Sequence, residues 1–172
     1  MSSKQEQYEQ AIGKYVLAFE YVCETMRMCI RAMFKHQGLS NDTLIDTLIG
    51  EMTSAPLQKT LLSSYGLIRH QNRTQRSKIA DVLKKIQSLT TFRNQLLHSA
   101  WQVVQNEPSD EVLAVSMNRK VKRDKKHGTL DVVFGFTADH ILEQAEIADQ
   151  LCGEICNVFL SFLPPTSERT VA

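Results

Sequence analysis

Three polar side chains close an otherwise apolar run and form the clearest candidate for chemistry: Arg93, Asn94 and His98, within Arg93-Asn94-Gln95-Leu96-Leu97-His98. A guanidinium stays charged at any physiological pH and presents a planar fork of N–H donors that matches two oxygens of a phosphate. A carboxamide both donates and accepts, and an imidazole gains or loses a proton near neutrality. The set is suited to handling phosphate. The same Arg-to-His spacing occurs a second time, from Arg31 to His36, but there Ala32 follows the arginine and the pattern reads as the polar edge of a surface helix. The downstream copy carries more, because Asn94 follows its arginine and Trp101 lies just beyond its histidine.

A second group is basic. Between positions 119 and 127, six Lys or Arg residues face the single acid Asp124. Such a run is commonly the solvated tip of a hairpin; its functional counterpart is a finger that follows phosphates, weakly specific and sensitive to salt. Lys120, Lys122, Arg123, Lys125 and Lys126 are therefore the candidate nucleic-acid contacts. The stretch 69–78 is polar and basic, with Arg69, Arg73, Arg76 and Lys78, and reads as a loop. Because the whole chain has a net charge of only +1, affinity for a polyanion has to come from such local clusters rather than from overall charge.

The elements that must position these residues are mostly helices. Apolar residues from Ile12 through Tyr15, Phe19, Val22, Met26, Ile30 and Met33 recur at three- and four-residue steps, which predicts one long amphipathic helix over about 5–37. Gly38 is its expected stop, and Ser40-Asn41-Asp42 offers acceptors to start a short second helix with Leu44, Ile45, Leu48, Ile49 and Met52 as its stripe. Pro56 suits the first turn of a third helix that carries Leu57, Leu61, Leu62, Tyr65 and Ile68. A fourth helix over about 75–100 has Ile79, Val82, Leu83, Ile86, Leu89, Phe92 and Leu96 on its buried side. At about 100° per residue, Arg93, Asn94 and His98 flank that stripe rather than lying in its centre. Period-two, β-branched stretches follow over 101–105, 112–117 and 130–136, which predicts an antiparallel hairpin or three-strand meander. Thr137 then caps a last helix that runs to about Leu163, where Pro164-Pro165 ends it.

The fold class expected is therefore mostly α: a bundle of about four to five helices in a single domain over 1–163, with a β-hairpin insertion over about 101–136 and a loose tail over 164–172. Hydrophobic residues at 42% and charged residues at 23% are ordinary for a globular chain, so extended disorder is not expected. Met1 to Gln10 lacks the apolar run of a signal peptide and no stretch of about 18 apolar residues occurs, so a cytoplasmic protein without membrane contact is expected. Cys23, Cys29, Cys152 and Cys156 lie inside apolar helical patterns and miss the usual zinc spacings, so they read as small buried hydrophobes and no metal is assigned. His36, His70 and His140 stand among polar neighbours and form no ligand pair, and no Gly-rich phosphate loop or Ser-His-Asp arrangement is visible, so no cofactor is expected.

The element Arg93-Asn94-Gln95-Leu96-Leu97-His98, with a helical half before it and Trp101, a hairpin and the Phe136-Thr137 entry into a final helix after it, resembles the HEPN superfamily of α-helical domains. Only the six-residue element is specific; the remainder is architecture. The resemblance implies a bundle that forms a homodimer, so that two Arg-His elements face one groove, and, in active members, metal-independent cleavage of RNA. In that chemistry His98 would take the proton from a ribose 2′-hydroxyl, Arg93 would stabilise charge at phosphorus, and Asn94 would orient His98 or the phosphate. No well-placed acid supports the set; Glu20 is the best candidate on the first helix.

Two function classes follow, together with a plainer third. The first is a metal-independent endoribonuclease of toxin or defence type, with RNA as substrate and an antitoxin or another protein as partner. The second is a non-catalytic, dimeric HEPN-like module that binds RNA, a nucleotide or a protein. In the third, Arg93, Asn94 and His98 only tie a helix end to its surroundings by the hydrogen bonds that a half-buried face requires.

Overall fold

A computed structural model describes residues 4–68, 73–98 and 135–161, and the backbone of 101–106, 111–116, 120–124 and 128–132. Five helices dominate: α1 (Lys4–His36), α2 (Asp42–Ile49), α3 (Ser54–Ile68), α4 (Arg73–Leu97) and α5 (Ala138–Phe159). The mostly helical class expected from the sequence is thus observed. Between α4 and α5 the backbone is extended in β1 (Trp101–Asn106), β2 (Glu111–Ser116), β3 (Lys120–Asp124), β4 (Gly128–Val132) and β5 (Gly135–Phe136). β2 pairs antiparallel with β1 and with β5, and β3 pairs antiparallel with β4. The tail over 164–172 lies outside the described residues.

The chain falls into two compact units. Met1–Ala18 and Thr91–Ile147 form the first, Phe19–Thr90 and Ala148–Ala172 the second. In the first, Tyr8, Ala11 and Tyr15 on α1, Phe92 and Leu96 on α4, and Ile141 and Ala145 on α5 are buried. Tyr15 and Phe92 meet edge to face at 4.9 Å, the arrangement that aromatic quadrupoles favour. In the second, Val22, Met26, Ile30 and Met33 of α1 are buried, as are Ile45, Ile49, Leu57, Leu61, Ile79, Ile86, Leu151 and Ile155. Tyr65 and Phe159 make a second edge-to-face pair there, at 5.3 Å.

Local signals set the element ends in the second unit. Gly38 has a positive φ of 91°, and the N–H of Leu39 bonds to the Phe34 carbonyl while that of Gly38 bonds to Lys35. This double bond pattern is the Schellman ending, which needs a left-handed residue that glycine supplies without strain. The Asn41 side chain accepts from the Leu44 N–H at 3.0 Å and so starts α2. An Asn41→Ala variant is expected to lose about 1 kcal/mol of stability, read as a lower urea midpoint at unchanged slope. Ser54, buried at the start of α3, accepts from Gln58 and is bonded to Thr90 at 2.8 Å, and Thr90 in turn donates to the Ile86 carbonyl. That chain satisfies the polar groups α3 brings against α4.

Three expectations need correction. The stretch 73–78 is not a loop but the first turns of α4; Arg, Gln and Lys are good helix formers, so the helix begins ahead of its first apolar residue, Ile79. Residues 69–72 lie outside the described chain. Leu44 and Leu48 were assigned to the apolar stripe of α2, yet they are 44% and 50% exposed, and Ile45 and Ile49 alone among its residues are buried. α5 stops at Phe159, short of Leu163, and continues as a bend at Leu160 and a turn at Ser161.

Candidate functional site

The Arg93-to-His98 element sits at the C-terminal end of α4, inside the first unit. Phe92 and Leu96 fix it by burial: they are 7% and 1% exposed, and at a spacing of four they share one face of the helix. Arg93, one step round from Phe92, is half-buried, while Asn94 and His98 are exposed. This is the flank position expected from the wheel. His98 lies one residue beyond Leu97, and its N–H still donates to the Asn94 carbonyl at 3.2 Å, so the last turn of hydrogen bonding carries the imidazole back toward the helix.

The three side chains come together. Arg93 Nη1 lies 3.5 Å from Asn94 Oδ1, to which it donates, and 3.5 Å from His98 Nε2. Both contacts are long and weak. A guanidinium nitrogen can only donate, so the second contact is a hydrogen bond when Nε2 carries its lone pair and the ring proton is on Nδ1. In that form Nε2 is a base held beside a cation. Among the described residues no carboxylate pairs with Arg93. Glu20, the acid considered for support, is exposed on the part of α1 that belongs to the second unit.

The other Arg-to-His copy has a different environment. Arg31 Nη2 donates to Asp46 Oδ1, and that hydrogen bond is the largest influence raising the arginine's pKa above its ordinary value. Its neighbour Lys35 pairs with Asp42 at 2.7 Å. Arg31 is thus committed to α2, whereas no acid among the described residues neutralises Arg93.

One residue given little weight in the sequence lies close to the element. His140, in the first turn of α5, contacts the ring of Phe92 at 5.5 Å and stacks on Phe136 at 5.7 Å with 24° between planes; Phe92 and Phe136 themselves meet at 4.8 Å. Its backbone N–H donates to Thr137 Oγ1 at 3.1 Å, which makes Thr137 the cap of α5, and its Nδ1 lies 3.5 Å from Glu143 Oε2. The cap signal three residues before His140 locates it in the opening turn of the helix. Nothing in the sequence pairs it with Phe92.

Of the basic candidates, Lys120, Lys122 and Arg123 lie on β3, in register with Val132, Leu130 and Thr129 of β4. Lys125 and Lys126 lie outside the described residues. Among the described residues no group of three or more His, Cys, Asp or Glu is placed to hold a metal ion, and no helix is long and apolar enough to cross a membrane. Comparisons with family models, with curated proteins and with solved structures returned no match.

Proposed function

We propose that the chain is a HEPN-like domain, spanning 1–163 with the 101–136 segment as its β insertion, that cleaves RNA without a metal as a homodimer of toxin or defence type. The observation that carries this reading is the Arg93 guanidinium, free of any carboxylate among the described residues and 3.5 Å from His98 Nε2. An incoming phosphodiester offers that guanidinium a stronger, charge-assisted and bidentate partner than the long contacts it makes to Asn94 and His98. With the guanidinium on the phosphate, His98 takes the proton of the ribose 2′-hydroxyl. The 2′-oxygen then attacks phosphorus, Arg93 stabilises the added negative charge, and the 5′-oxygen leaves. The products are a 2′,3′-cyclic phosphate and a 5′-hydroxyl. Asn94 keeps Arg93 at the helix end between turnovers.

The test is incubation of the full chain in chelator with RNA and with the same strand carrying 2′-deoxyribose throughout. RNA is expected to yield ends with the mass of a cyclic phosphate, and the deoxy strand to survive. Cleavage of both strands, or of neither, rejects the mechanism. The mutual tethering of Arg93, Asn94 and His98 supports a second reading, a non-catalytic module for RNA, a nucleotide or a protein partner. Under it RNA is retained in a salt-dependent way without turnover, and substitution of Lys122, Arg123, Lys125 and Lys126 weakens retention.

A further inference from the structure

The phosphate chemistry leaves unused the aromatic cluster that runs from the core of the first unit to its surface. Phe92 is buried, whereas its neighbours Phe136 and His140 are only half-buried, and 42% of the His140 side chain is open to solvent. Rings at the edge of a core are commonly packing and no more. Three observations set this group apart. His140 lies close to parallel with Phe136, at 5.7 Å between centroids and 24° between planes, so the two form an offset stack of flat rings. The imidazole is held from two further sides, by Phe92 at 5.5 Å and 80° and by Glu143 Oε2, 3.5 Å from its Nδ1. Phe92, which meets both rings, is followed directly by Arg93, so the stack packs against the same turn of α4 that carries the guanidinium, within one unit.

We propose that His140, backed by Phe136, is a stacking subsite for an unpaired nucleobase, and that single-stranded rather than duplex RNA is therefore the substrate class. The proposal rests on the reading of Arg93 as a phosphate contact. An unpaired strand offers a phosphate and a base that are joined through one ribose. A cation takes the first and a flat, partly solvated ring takes the second; Phe, Tyr, Trp and His are the side chains on which unstacked RNA bases are received.

Each contact of the imidazole has a part in this. The ring of Phe136 and the edge-on ring of Phe92 fix its plane, so little side-chain freedom is left to lose when a base settles on it. Glu143 lies beside Nδ1, a contact that favours the proton on that nitrogen and so sets the orientation of the ring. Because every base has a π face, the subsite discriminates unpaired from paired nucleotides and not one base from another. A base inside a duplex is already stacked on its neighbours and cannot reach the ring unless it is pulled out.

The experiment measures, by fluorescence anisotropy at fixed salt, binding of the full chain to a short labelled strand with 2′-deoxyribose throughout, which the chemistry above cannot cut, and to the same strand with every base removed. Both strands carry the same charge. Wild type is expected to prefer the intact strand by roughly 5- to 150-fold, the range that stacking of one base on an aromatic side chain spans. His140→Ala should lose that factor on the intact strand and change little on the abasic one, and His140→Phe, which keeps a flat ring, should stay within a few fold of wild type. Equal affinity of wild type for the two strands, no binding of either, or a base preference that His140→Ala retains in full overturns the proposal. The first of these outcomes needs no variant, so it decides even where a substitution does not fold. Cleavage of RNA is a separate readout: cleavage without a base preference at His140 removes the subsite and keeps the chemistry, and a base preference at His140 without cleavage places the subsite on a binding module.

Discussion

His98→Ala is expected to lower the rate of RNA cleavage by roughly 10²–10⁴-fold, because it deletes the general base. The side chain is exposed and lies one residue past the end of α4, a setting in which truncation changes stability by no more than about 0.5 kcal/mol. Activity and stability therefore separate in one variant. The measurement is a single-turnover rate at saturating enzyme, with a thermal melt of the same sample. His36→Ala is the internal control, since Arg31 and His36 repeat the spacing and Arg31 is committed to Asp46; its rate should match wild type. A His98→Ala enzyme with an unchanged rate would remove this histidine from the chemistry and leave the binding-module reading in its place.

The contrast between those two copies shows how far the sequence could be read. Spacing alone makes them equal. What separates them is a tertiary fact, the aspartate that α2 delivers to Arg31 and the absence of any such acid beside Arg93 among the described residues. Periodicity served well where burial is one-sided: Tyr15, Val22, Met26, Ile30 and Met33 of α1 were all assigned inward, and all have no exposure. It misled where a helix is short. In α2, both Leu44 and Ile45 are apolar, and only packing decides that Ile45 turns inward while Leu44 is left in solvent. It was silent where a helix has no apolar residue, as in the opening turn of α4 at Arg73. The flank position of Arg93 and Asn94 was legible because 100° per residue fixes it once Phe92 and Leu96 are buried. His140 was not, since its meeting with Phe92 joins α5 to α4 across nearly fifty residues.

That meeting underlies the second large effect. Phe92→Ala is expected to destabilise the protein by about 3–5 kcal/mol, the usual cost of removing a buried phenyl ring and leaving the space it filled. Phe92 is 7% exposed and touches three rings: Tyr15 edge to face at 4.9 Å, Phe136 at 4.8 Å and His140 at 5.5 Å. Edge-to-face pairs add about 0.5–1.5 kcal/mol beyond burial, so the upper half of the range is expected. Against a total stability of about 5–15 kcal/mol this is a large fraction. Phe92→Leu keeps most of the apolar volume but gives up the ring contacts, and its loss should fall well below that of alanine. Urea unfolding of the three proteins measures both differences; a loss below about 1 kcal/mol for alanine would mean that the ring cluster is not part of the folded core. The same substitution reaches the site through the backbone, because Phe92 and Leu96 are the two anchors that hold the last turns of α4. At a temperature where the alanine variant is still folded, its cleavage rate should fall too, since a small displacement of Arg93 costs catalysis far more than it costs stability.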